Sequence, residues 1–215
     1  HLQASDPFAI PELAYEAVSL CLPAAKGGFG FRLGSTGTAG YRTWTGSLSY
    51  GKSFGRFRAG IRLEPRLVTQ GYGYGTAIAV IPGLSLQVSL PGDLTLGLAV
   101  ENPARQDYRP RGAGCLPRIF RADAGLALGP SVWTCLEIEK ESGRRLTGRL
   151  GFEGVVNSRV SLRLGVTTDP ELPLTFGAGF NHDRFAAGLA AAYHPVLGFT
   201  PSLTLSWNVR PRPPK

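Results

Sequence analysis

Methionine is absent from the 215 residues, lysine occurs 4 times against 19 arginines, and there are only 3 histidines and 3 cysteines. A chain that begins His1-Leu2-Gln3 and carries no methionine is expected to owe its N-terminus to cleavage, as removal of a secretory leader would produce. No uninterrupted apolar run reaches the roughly 18 residues of a membrane-crossing helix. With 43% hydrophobic and 18% charged residues, the composition excludes a disordered chain. The basic residues form no long cluster: the arginines stand two to five apart inside apolar segments, so nucleic acid is not expected as a partner. His1, His182 and His194 have no Gly-x-Ser-x-Gly to serve, and no nucleophile, base and orienting group can be assembled, so no enzyme activity and no catalytic residue is expected. Cys21, Cys115 and Cys135 contain no Cys-x-x-Cys pair and no histidine at finger spacing, so neither a metal nor a cofactor is expected. One pair among the three could form a disulfide in an oxidising compartment, although an inert thiol accounts for them equally well. The 29 glycines follow no three-residue period, which excludes collagen, and Gly71-Tyr72-Gly73-Tyr74-Gly75 lacks the helix that would make it a phosphate-binding turn.

What the sequence has in abundance is alternation. Phe57, Ala59, Ile61 and Leu63 interleave with Arg56, Arg58, Arg62 and Glu64, and Val160, Leu162, Leu164 and Val166 interleave with Arg159, Ser161, Arg163 and Thr167. This period of two predicts strands at 27–34, 39–51, 55–66, 75–90, 93–101, 118–129, 131–141, 144–155, 158–167, 173–182, 184–194 and 200–209. Twelve strands without a helix-sized gap predict an all-β, antiparallel up-and-down barrel of about 12, between 12 and 14, strands across residues 27–209. Connections alternate between tight turns and longer loops, which puts the short ones at one end. A tilted strand of about 10 residues spans the roughly 25 Å apolar band of a transmembrane barrel, about twice the length usual in a soluble sandwich.

A barrel this wide cannot be filled by leucine and alanine, so the apolar phase is expected to face lipid and the polar phase the lumen. Charged candidates for the lumen are Arg32, Arg58, Arg62, Arg149, Arg159 and Arg163 with Glu64, Glu101, Glu137 and Glu153, and they suit either an anion-favouring channel or an arginine–glutamate network that closes it. Tyr41, Trp44, Tyr50, Tyr193 and Trp207 sit near strand ends, where an interfacial aromatic girdle would lie. Residues 1–26 are left open as an arm, a plug or an extra strand, and 210–215, with Pro211, Pro213 and Pro214, are expected as an exposed tail. The expected surroundings are the outer membrane of a Gram-negative bacterium.

The order of segments also resembles a known family. Asp6-Pro7-Phe8-Ala9 with Pro11-Glu12-Leu13, the hairpin from Leu48-Ser49-Tyr50-Gly51-Lys52 to Leu63, and the run Leu150-Gly151-Phe152-Glu153, Leu162-Arg163-Leu164-Gly165, Phe176-Gly177-Ala178-Gly179-Phe180 and His194-Pro195-Val196-Leu197-Gly198 are similar to the FadL-like superfamily of outer-membrane barrels, closest to the group of PorV and PorQ of the type 9 secretion system. Asp6 stands where that group has asparagine, Phe8 replaces a small residue, and the chain is short for a family that usually has 14 strands and an N-terminal plug. The resemblance implies an outer-membrane barrel that works with other envelope proteins. The leading expectation is thus a non-enzymatic, partner-binding or structural component of an envelope or secretion-type assembly. One alternative is a channel or transporter for small anionic or hydrophobic solutes; another is a barrel that associates with copies of itself through residues 1–22.

Overall fold

A computed structural model describes residues 1–24, 27–38, 40–71, 75–109, 115–169, 171 and 173–209. The proline-rich segment 210–215 and the tyrosines at 72 and 74 lie outside the described residues. Fourteen strands are present among the described residues: β1 (Leu2–Ser5), β2 (Tyr15–Ala24), β3 (Gly27–Thr38), β4 (Tyr41–Phe54), β5 (Phe57–Gln70), β6 (Gly75–Leu90), β7 (Leu94–Glu101), β8 (Ile119–Ala127), β9 (Val132–Glu141), β10 (Leu146–Val155), β11 (Val160–Thr167), β12 (Leu174–His182), β13 (Phe185–His194) and β14 (Gly198–Trp207). Each pairs antiparallel with its sequence neighbours, and β1 closes the cylinder between β14 and β2.

The count of 14 corrects the expectation of about 12. Residues 1–26 supply both missing strands: Leu2 pairs with Leu205 on one side and with Val18 on the other. A strand of four residues offers too few alternations for a period of two to show. In β2, Glu16 falls in the apolar phase and Pro23 interrupts the pattern, so this strand is also hard to read in sequence.

Register fixes the faces. Leu63 pairs with Leu48, Leu84 with Val100, Leu164 with Phe176 and Leu189 with Leu203, so the apolar phases of neighbouring strands line up on one surface. That surface is the outer one: Leu98 is 60% and Leu189 65% exposed, whereas the few buried apolar side chains, Ala17, Val68, Ala77, Ala79, Ile81 and Leu116, lie on the inner side or on the loop folded against it. So much exposed leucine, valine and phenylalanine would be an aggregation hazard in water, and a closed barrel is the strand arrangement that leaves no unpaired edge in hydrocarbon. The outer face of the described strands carries four charged side chains, Glu16, Arg42, Lys52 and Lys140, each within three residues of a strand end. Arg42 stacks over Trp44 and Lys52 over Phe54, so two of these cations lie beside outward aromatics at the border of the apolar band.

Connections at one end are short, as at 55–56, 91–93 and 183–184. At the other end the longest, 102–118, turns back onto the barrel. Strand β6 is 16 residues long and its partner β7 only 8, so the edge of β6 beyond Pro82 is left without β7. The loop covers it: Ile78 and Arg109 exchange two backbone hydrogen bonds of 2.9 and 2.8 Å, and Leu116 packs with Tyr108 against the inward Ala79 and Ile81. Asn102, fully buried, holds the loop's base by donating from Nδ2 to the carbonyls of Gln106 at 2.9 Å and Leu116 at 3.1 Å. Its Oδ1 accepts from the Gln106 N–H at 2.6 Å.

Candidate functional site

The lumen is where the chain's chemistry collects. On β5 the inward phase places Arg58, Arg62, Glu64 and Arg66 in a column, and inward positions of β7 to β10 add Glu101, Arg121, Glu137, Glu139 and Arg149. Gly83 of β6 stands in register between Arg62 and Glu101. With no side chain there, Arg62 spans the intervening strand and meets Glu101 at 2.7 Å. Glu101 is shared with Arg121, which also holds Glu139 at 2.5 Å. Arg149 then bridges Glu139 at 3.1 Å and Glu137 at 2.5 Å. At the other end of this belt, Glu64 binds Arg66 at 2.7 Å and lies 3.9 Å from Arg62.

Four arginines and four glutamates therefore alternate without interruption across β5 to β10, with no net charge. Glu64, Glu101 and Glu139 are 16%, 21% and 14% exposed, so the pairs are drier than surface ion pairs and correspondingly stronger. Replacing Glu101 by glutamine leaves Arg62 and Arg121 facing each other without a shared carboxylate. We expect a loss of about 1–3 kcal/mol, between the exposed and the fully buried case. Urea unfolding in detergent micelles measures it, and an unchanged midpoint would show that the belt adds nothing to stability.

The opposite wall differs. Strands β12, β13, β14 and β1 contain no Asp, Glu, Lys or Arg, and apart from Gln3, Asn181 and His194 their inward positions are small, as at Gly177, Gly179, Gly188, Ala190 and Ser202. Arg163 of β11 pairs with Glu153 at 3.2 Å and reaches over Gly179. The inner surface is thus divided into a charged belt and a neutral lane of small side chains. Two further glycines mark close approaches: Asp123 lies over Gly97 and the Trp133 indole over Gly125, so that a side chain at either would force its neighbour to shift.

Of the residues read from sequence as lumen charges, Arg32, Arg58, Arg62, Arg149, Arg163, Glu64, Glu101, Glu137 and Glu153 stand on the inner face. Arg159 does not: it sits in the turn between β10 and β11, where its N–H is bound by the Asn157 side chain, because the strand begins one residue later than its alternation suggests. Among the aromatics, Trp44, Tyr50, Tyr193 and Trp207 face outward near strand ends, but Tyr41 is in the opposite phase to Trp44 and turns to the lumen side of the rim. Of the two readings left open for the cysteines, a disulfide and inert thiols, the structure has the second: all three thiols are free. Cys21 on β2 and Cys135 on β9 belong to walls seven strands apart in the ring, and Cys115 lies in the 102–118 loop. Sequence reasoning missed Arg66, Arg121 and Asn102 as participants. The first two were visible as polar-phase residues of strands, whereas nothing near Asn102 announced its role.

No protein-family model matches the chain, and no curated protein matches it by sequence. Among solved structures it is similar to the Pseudomonas putida toluene transporter TodX, with a TM-score of 0.67 and 9% identity over 95% of this chain and 85% of that one. It is also similar to the KdgM porin in complex with disordered oligogalacturonate, with a TM-score of 0.53 and 8% identity over 97% of this chain and 98% of that one. At these identities the likeness is one of fold: the molecule is an all-β, closed antiparallel barrel, as those two proteins are.

Proposed function

We propose that the protein is a channel or transporter that passes small solutes across a Gram-negative outer membrane. The observation that carries this reading is the division of the lumen. Eight charges of one wall are locked to each other in a neutral belt, while the facing strands β12, β13, β14 and β1 present an inner surface without a charged side chain, lined mainly by glycine, alanine, serine and threonine. The apolar outer face, with its charges at strand ends, supports a bilayer as the surroundings. The two similar structures, a toluene transporter and a porin, support passage of solutes over the expected role in a secretion-type assembly. The narrower resemblance to the PorV and PorQ group gains nothing from either structure, and neither do association with other envelope proteins or with copies of the chain itself.

The test is reconstitution of the purified barrel into planar lipid bilayers and solute-loaded liposomes. Stepwise conductance together with swelling in small neutral and charged solutes is the expected result. A barrel that shows the heat-dependent mobility shift of a folded barrel in SDS, yet passes neither ions nor solutes, would end this reading.

A further inference from the structure

One inner pocket is not explained by the neutral belt. Between β2 and β5 lies a concavity of about 320 Å³, room for one small solute, walled by the guanidinium groups of Arg32, Arg62 and Arg66 and the single carboxylate of Glu64. Tyr15, Thr45, Gly46 and Ser47 complete its lining. Arg66 is neutralised by Glu64 at 2.7 Å, and Arg62 by Glu101 at 2.7 Å. Arg32 has no carboxylate among the described residues. Its Nη2 donates to Gln3 Oε1 and to the Tyr15 hydroxyl, both at 2.8 Å, and its Nε donates to the same hydroxyl at 3.1 Å. No hydrogen bond to a described residue engages Nη1. Neutral acceptors therefore fix the fork in place without cancelling its charge.

A guanidinium held in that way keeps its full charge and leaves the N–H groups of Nη1 to meet an oxygen of a carboxylate or phosphate group in a charge-assisted hydrogen bond. We propose that this pocket is an oxyanion-binding site of the lumen, with Arg32 as the contact residue, and that it makes the pore selective for small solutes bearing a carboxylate or phosphate. The selectivity rests on the channel reading above; the binding does not. Arg58, held by Gln87 at 3.1 Å and likewise without a carboxylate among the described residues, places a second uncompensated cation further along β5.

Two measurements separate the readings. In planar bilayers under a potassium chloride gradient, the wild-type barrel is expected to be anion-selective, with chloride current blocked saturably by inorganic phosphate, by acetate, or by both. Arg32→Gln should weaken the block about tenfold, the loss of one charge-assisted contact, and lower anion selectivity severalfold. Arg32→Lys should keep the selectivity and lose the block, because it keeps the charge but not the planar guanidinium that Gln3 and Tyr15 hold in place. Arg144→Gln, the same change in charge in the β9–β10 connection, should alter neither. Calorimetric titration of inorganic phosphate and of acetate into the detergent-solubilised barrel reads binding without any pore. Arg32-dependent binding without conductance would sink the channel reading alone. Equal binding and equal block in wild type and Arg32→Gln, no binding of either anion to the wild type, or an effect of Arg144→Gln as large as that of Arg32→Gln, would overturn the oxyanion site.

Discussion

Arginine in place of Leu136 is expected to destabilise the barrel in a bilayer by about 2–4 kcal/mol, the cost of setting a guanidinium against lipid near mid-membrane. Leu136 lies midway along β9, 48% exposed on the outer face, and pairs with Ala124 on one side and Leu150 on the other, each near the middle of its own strand. Among the described residues no outward carboxylate stands beside it, and snorkelling from mid-strand has the longest way to go. The neighbouring substitution Cys135→Arg points into the lumen, on the same face as the carboxylates of Asp123 and Glu137, and should cost about 1 kcal/mol or less. Urea-dependent folding into phosphatidylcholine vesicles gives both values. If the two costs came out in the opposite order, the assignment of inner and outer faces would be wrong throughout.

The second large effect is local. Asn102→Ala deletes the amide that holds the base of the 102–118 loop, strands the Gln106 N–H, and leaves a non-glycine residue at a φ of 52° without the side-chain bonds that stabilise it there. About 2–4 kcal/mol of anchoring is lost, but it falls on the loop and not on the strand ladders. The expected outcome is a barrel that still shifts on boiling in SDS, is cut by trypsin at Arg105 or Arg109, and conducts more current because Leu116 and Tyr108 no longer pack against Ala79 and Ile81. A variant as resistant to trypsin as the wild type would show that the backbone pairing of Ile78 with Arg109 suffices to hold the loop.

Alternation located the strands from β3 onward because each is long enough for several apolar and polar positions to register. It failed where that condition fails. β1 is too short, and β5 runs on to Gln70 past Pro65, which reads as a terminator although it lies outward opposite Gly46, where the ladder tolerates a missing N–H. Phase told which arginines face inward. It did not tell which glutamate each would meet, since Arg62 reaches Glu101 only because Gly83 is bare, and that depends on the register of three strands. Tyr41 was placed by its nearness to a strand end, a criterion blind to phase. The role of Asn102 comes from contacts with residues 4 and 14 positions away in an irregular loop, for which no period exists.

The way the wall closes sets the order in which the molecule can come into being. Leu2 meets Leu205, so β14 must find β1 across the whole ring, which stays an open sheet until it does. That encounter spans nearly the whole chain and carries its largest loop-closure entropy, which makes it the natural slow step of assembly. With β1 only four residues long, the same seam has the least backbone pairing to lose, so a barrel pulled apart by denaturant should unzip there first.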